Sequence, residues 1–146
     1  MLDNVSKLLN GDMLKALCDM GHGETMVIAD ANFPAKTVSD NIISCPGMNV
    51  SDVLEAIVDL FPVDVEYTEK PAIIMELTDG DKAKGLPRPE AWDDYERILS
   101  KRYPGIKLNN VPREKFYELS RETIVVFLTG EDRLYGNLLL TKGCVK

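Results

Sequence analysis

Apolar residues recur along the chain with two periods, and the switches between them mark alternating helices and strands. Met13, Leu14, Leu17 and Met20 share one face of a helix that Asn10 or Asp12 can cap, and Gly21 stands where glycine ends helices. Met26–Ala29 is a short, wholly apolar strand with Asp30 at its C-terminal end. Pro34 and the polar residues after it read as a loop. Helical spacing returns at Val53, Leu54, Ile57, Val58 and Phe61, with Ser51 as the N-cap and Pro62 as the stop. Ala72–Leu77 reads as a strand, and Thr78–Arg88, with two glycines and a proline, as an exposed loop. Pro89 opens a third helix carrying Trp92, Tyr95, Ile98 and Leu99, which Pro104-Gly105 ends. Residues 112–121 form a shorter helix with Phe116, Tyr117 and Leu119. Thr123–Leu128 and Leu138–Thr141 are two further strands, expected to be antiparallel neighbours across the turn-rich segment Thr129–Asn137. Helices between strands predict an α/β fold, with a mixed sheet flanked by helices.

With 146 residues the chain is expected to form a single domain over 1–146, large enough to bury a core without staples. There is no run of apolar residues long enough to cross a membrane as a helix, and the N-terminus lacks a signal-peptide pattern, so a cytoplasmic protein is expected. Cys18, Cys45 and Cys144 are an odd number at unrelated spacings, which reads as three reduced thiols. Seventeen lysines and arginines against 24 aspartates and glutamates leave a formal net charge of −7. That balance disfavours a nucleic-acid binder, whose affinity comes from clustered cations. A single histidine, His22, excludes a His-rich metal site and leaves one imidazole for acid–base work.

Four segments carry chemistry. His22 sits between Gly21 and Gly23, where it either presents an imidazole to a cleft or merely complements a helix end. Asp30, in Ala29-Asp30-Ala31-Asn32-Phe33-Pro34, either binds a ligand hydroxyl or orients a histidine, or forms an Asx turn ahead of Pro34. Because His22 and Asp30 belong to one helix–turn–strand unit, their side chains are expected to converge. Arg113 is either a forked donor for an oxygen-rich ligand or a surface charge at a helix start. In Thr129-Gly130-Glu131 followed by Tyr135-Gly136-Asn137, the tyrosine and asparagine straddle a glycine that permits close approach of a ligand. Both side chains donate and accept hydrogen bonds, as a polyol requires, and the alternative is an ordinary β-turn. Neither glycine-rich segment matches a nucleotide-binding fingerprint.

Together with Phe116-Tyr117-Glu118 and Lys142-Gly143, these motifs, in this order and spacing from near Leu9 to Gly143, resemble the RbsD/FucU family of sugar mutarotases. The resemblance implies a cofactor-independent isomerase that interconverts sugar anomers. One branch acts on L-fucose; the other acts on D-ribose and also interconverts its pyranose and furanose forms. It further implies that His22 is the catalytic proton donor and that Asp30, Arg113, Tyr135, Gly136 and Asn137 bind substrate, with no metal. The ribose branch carries a histidine at the position of Arg113, and this chain has no second histidine. The resemblance is therefore to the fucose branch, with a ribose mutarotase/pyranase or a non-catalytic sugar-binding regulator as the alternatives. It also implies a homo-oligomer, a decamer of pentameric rings with sites near subunit contacts; no nucleic-acid or membrane partner is expected, from the charge balance and the apolar run lengths. Glu24 departs from a frequent aspartate, and the loop around Asp79–Pro87 is somewhat long.

Overall fold

The computed structural model describes residues 2–146; Met1, where the expected domain begins, lies outside the described residues. In chain order the elements are α1 (Gly11–Asp19), β1 (Thr25–Ala29), α2 (Ala35–Val38), β2 (Ile42–Cys45), α3 (Val50–Ile57) and β3 (Ala72–Met75). They continue with α4 (Asp79–Ala83), α5 (Glu90–Ser100), β4 (Asn109–Val111), α6 (Arg113–Ser120), β5 (Val125–Thr129) and β6 (Leu138–Thr141). All six strands join one sheet in the order β2-β5-β1-β6-β3-β4.

The mixed α/β architecture expected from the alternating periods is present. Asn10, not Asp12, caps α1, with its side chain accepting from the Met13 N–H at 2.9 Å. Asn49 displaces Ser51 as the cap of α3, because Asn49 and Asp52 satisfy each other's backbone N–H in a capping box. Four short elements depart from the expectation. The supposed loops hold α2 and β2, and Thr78–Arg88 contains α4, whose first turn Thr78 caps through the Asp81 N–H. The edge strand β4, three residues long, is too short and polar to show a period.

The last two strands are not neighbours. β1 lies between them, parallel to β5 and antiparallel to β6. The reason is burial: the four residues Met26–Ala29 are fully shielded, and an all-apolar strand belongs inside a sheet covered on both faces. Alternation along the strands sends Met26, Ile28, Val125, Phe127, Leu138 and Leu140 into one core cluster with α1, α3 and α5. It sends Val27, Ala29, Val126 and Leu139 into a second cluster with α2 and α6.

Strand direction is what places the candidate site residues. β2 and β5 run parallel to β1, β3 runs parallel to β4, and β6 runs against both β1 and β3. Five strands therefore point one way, and β6 alone is reversed. Asp30, which follows β1, and Tyr135–Asn137, which precede β6, thus meet at the same end of the sheet. The residues before β1 and after β6, His22 and Lys142-Gly143, meet at the other end.

Candidate active site

At the C-terminal end of the parallel strands a cleft of about 220 Å³ is lined by Asp30, Arg113, Tyr135 and Asn137, with Asn32, Phe33, Met75, Asp81, Tyr117 and Leu134 completing its wall. This is where an α/β sheet presents ligands. Asp30 is 6% exposed, and each of its carboxylate oxygens accepts a hydrogen bond. Oδ1 accepts from the Asn32 N–H at 3.0 Å, and Oδ2 accepts from Asn137 Nδ2 at 2.8 Å. Asn137 returns the contact by accepting from the Asp30 N–H at 2.8 Å. Burial pushes the Asp30 carboxyl above its ordinary range, against the pull of hydrogen bonds from Asn32, Gly136 and Asn137. The Asx turn and the cleft-facing carboxylate are thus the same feature, since the turn fixes the carboxylate at the cleft.

Arg113 is the first residue of α6 and is exposed. Its guanidinium lies 5.7 Å from the Tyr117 ring centroid, and Phe33 packs on Tyr117 at 5.9 Å. A cationic, aromatic wall therefore faces the Asp30–Asn137 pair across the cleft.

Tyr135 adopts a left-handed backbone (φ 60°), uncommon for a bulky residue and costly by about 1–3 kcal/mol. The surroundings over-determine it. Trp92 Nε1 donates to the Tyr135 carbonyl at 2.9 Å, and the Tyr95 hydroxyl donates to the Gly136 carbonyl at 2.6 Å. Burial pushes the Tyr95 phenol far up, so it stays a neutral donor. Beneath the turn, the Thr129 hydroxyl donates to the Ala29 carbonyl, and buried Glu131 is forked by Arg133, with Arg133 Nη2 2.8 Å from Glu131 Oε2. The backbone carbonyl of Glu131 accepts from the Ala31 N–H, which ties this loop to the residue after Asp30.

His22 is not part of this cleft. The five residues of β1 separate it from Asp30, roughly 16 Å of strand. Within one chain the two side chains do not converge, because they occupy opposite ends of β1. At its own end His22 meets two residues that the sequence reading missed. Its Nε2 lies 3.2 Å from Oδ2 of Asp64, which is 4% exposed, and its ring stands edge-on to Tyr67 at 5.1 Å. Asp64 Oδ1 accepts from the Tyr67 N–H. Lys142-Gly143 builds the seat: the Lys142 carbonyl accepts from the Gly23 N–H, and the Gly143 N–H donates to the Pro62 carbonyl. A cavity of about 470 Å³ opens beside His22, between it and the end of α6 at Leu119. Nothing in the sequence marks Asp64 as a partner; its role appears only when the Pro62–Asp64 segment pairs with the end of β6.

Both clefts open on the sheet face that α6 covers, with Arg113 at one end of the helix and Leu119 near the other. A polar, aromatic-walled cleft at strand ends, with a separate carboxylate-paired histidine, defines an α/β protein equipped for a small hydroxylated molecule. The sequence is consistent with this and more specific: residues 3–145 match the model of the RbsD / FucU transport protein family. The chain belongs to that family.

Human fucose mutarotase is 41% identical over 145 residues, which cover 97% of this chain and 93% of the relative. The structure of a Streptococcus pneumoniae fucose mutarotase in complex with L-fucose superposes with a TM-score of 0.89 at 33% identity, covering 99% of this chain and all of that one. RbsD from Bacillus subtilis, complexed with D-ribose, matches less well, with a TM-score of 0.72 at 25% identity over the full length of both. No helix is long and apolar enough to cross a membrane, and no cluster of potential metal ligands occurs among the described residues.

Proposed function

We propose that the protein is an L-fucose mutarotase that interconverts the α and β anomers by acid–base-catalysed ring opening and closure. The observation that carries this reading is the cleft of Asp30, Arg113, Tyr135 and Asn137 in a chain 41% identical to a fucose mutarotase. Arg113, in place of a second histidine, favours fucose over ribose. The net charge of −7 is compatible with a neutral substrate, which needs no electrostatic steering.

Anomerisation requires a proton on the ring oxygen as C1–O5 breaks and removal of one from the anomeric hydroxyl. His22 supplies the first, and water takes the second and returns a proton to the imidazole. Its Nε2–H, assigned from the carboxylate partner, donates to Asp64, which leaves Nδ1 as the proton-exchanging nitrogen. Asp30, Arg113 and Asn137 hold sugar hydroxyls, and Tyr135 meets one more. Since His22 and this cleft sit at opposite ends of β1, the complete site is shared between copies: one chain contributes His22 and another the cleft. That sharing is the function of the homo-oligomer, which we take to be a decamer of pentameric rings in the cytoplasm.

Saturation-transfer NMR on L-fucose and D-ribose tests the reading. Selective exchange between fucose anomers is expected, with His22→Ala slower by about 10²–10⁴-fold while remaining folded. Wild-type rates in His22→Ala would remove the histidine from the mechanism. Pyranose–furanose exchange in ribose would favour the other branch, and line broadening without exchange would indicate a binding protein.

A further inference from the structure

The segment that carries α4 approaches the sugar cleft, and one of its side chains lies on the cleft wall. Asp81 Oδ2 accepts from the Tyr135 hydroxyl at 2.5 Å. The Thr78 N–H donates to the same hydroxyl oxygen at 3.1 Å, and the Thr78 hydroxyl donates to Asp81 Oδ2 at 3.2 Å. Lys84 lies 3.5 Å from Oδ1 on the outer side. A phenol has one proton and two acceptor lone pairs. In this arrangement the proton is committed to Asp81 and one lone pair to Thr78, so one acceptor position is left.

We propose that Asp81 is a positioning residue of the sugar site: by taking the Tyr135 proton it fixes the phenol at the cleft and makes Tyr135 an acceptor, not a donor, toward the sugar hydroxyl it meets. The inference rests on the fucose mutarotase reading and deepens it. An acceptor at this position selects a substrate that presents an O–H there and disfavours one whose only feature is an ether oxygen. The same hydrogen bond from Tyr135 holds the Asp81 carboxyl below its ordinary range, so the acceptor is charged and the bond is of the stronger kind. The strained backbone of Tyr135 fits such a role, because the residue is held from both ends, by Trp92 at its carbonyl and by Asp81 and Thr78 at its hydroxyl. The loop that looked merely long in the sequence thus reaches the site through a single carboxylate.

A double-mutant cycle on fucose exchange, with the Tyr135 ¹³Cζ resonance followed in parallel, tests this. Asp81→Ala is expected to slow exchange by about tenfold or more, as loss of a charge-assisted hydrogen bond would. Asp81→Asn, which keeps an acceptor oxygen, should recover most of the rate and return the Tyr135 resonance part of the way. Adding Asp81→Ala to Tyr135→Phe should cost nothing further, because Asp81 acts through the phenol. The proposal is overturned if Asp81→Ala exchanges fucose at the wild-type rate, or if it slows wild type and Tyr135→Phe equally, as a general disturbance of α4 would. Should Asp81→Ala fail to fold, Asp81→Asn carries the test through coupling: a shifted Tyr135 resonance with a modest slowing that vanishes on the Tyr135→Phe background supports the acceptor role, and an unmoved resonance, or an equal slowing on both backgrounds, overturns it. If the wild-type protein exchanges no fucose, the parent reading fails, and a Tyr135 resonance shifted in Asp81→Ala identifies that as the cause rather than a missing contact.

Discussion

Gly136 and Asn137 show how single residues decide whether the cleft exists. A glycine between Tyr135 and Asn137 suggests room for a ligand to approach the backbone, but the room is taken by the protein itself. A Cβ on Gly136 would sit 2.9 Å from Glu131 Cγ, 3.1 Å from the Arg133 carbonyl and 3.4 Å from Asp30 Cβ. The left-handed backbone, which a sequence reader would assign to the glycine, falls on Tyr135 instead. Gly136→Ala should therefore destabilise the fold by about 1–3 kcal/mol through overpacking. It should also weaken fucose binding, since the displaced atoms belong to Glu131 and Arg133, in the loop that Ala31 ties to Asp30. Urea unfolding together with a fucose titration measures both, and a variant as stable and tight-binding as wild type would show that the turn relaxes freely.

Between elements, Arg133 is the main polar tie. It forks onto Glu131, pairs with Asp94 of α5 at 2.8 Å, and donates to Ser51 of α3 at 3.2 Å. Burial alone would raise the Glu131 carboxyl, but the Arg133 contacts leave it below its ordinary range, and Asp94 is lowered by its hydrogen bond from Arg133. Groups with depressed folded pKa values bind fewer protons folded than unfolded, so their stabilisation is present above the ordinary carboxylate range and is lost as pH falls through it. Asp30, raised by burial, works in the opposite sense. Net stability should drop between about pH 5 and 3. Arg133→Met should cost about 2–3 kcal/mol, less than breaking a fully shielded pair because Arg133 is partly exposed, and should flatten that acid slope. Urea midpoints across this range decide it; an unchanged slope would assign the acid sensitivity to other groups.

For the whole molecule, the separation of His22 from Asp30 has a direct consequence. If each site draws His22 from one copy and Arg113 from another, a mixture of His22→Ala and Arg113→Ala chains, each inactive alone, should regain activity after dissociation and reassembly. Random mixing in equal amounts predicts roughly a quarter of the wild-type activity. Fucose exchange on the reassembled mixture measures it, and no recovery in a properly reassembled oligomer would mean that each chain holds a complete site.

Helical and strand periods determined the α/β class, the long helices and the central strands, because burial of one face or two is written directly in the spacing of apolar residues. The same residues in order carried the family resemblance, including Asp30, Arg113, Tyr135 and Asn137, which the fold brings to one cleft. What only the tertiary structure decided is partnership at long range. The reversal of β6 and its place beside β1 put Asn137 on Asp30 and left His22 at the far end. Asp64 beside His22 and Asp81 beside Tyr135 come from segments 42 and 54 residues away. Local periodicity has no term for such distances: strand order is set by which strand must be buried on both faces, and that competition is resolved only when the whole sheet assembles.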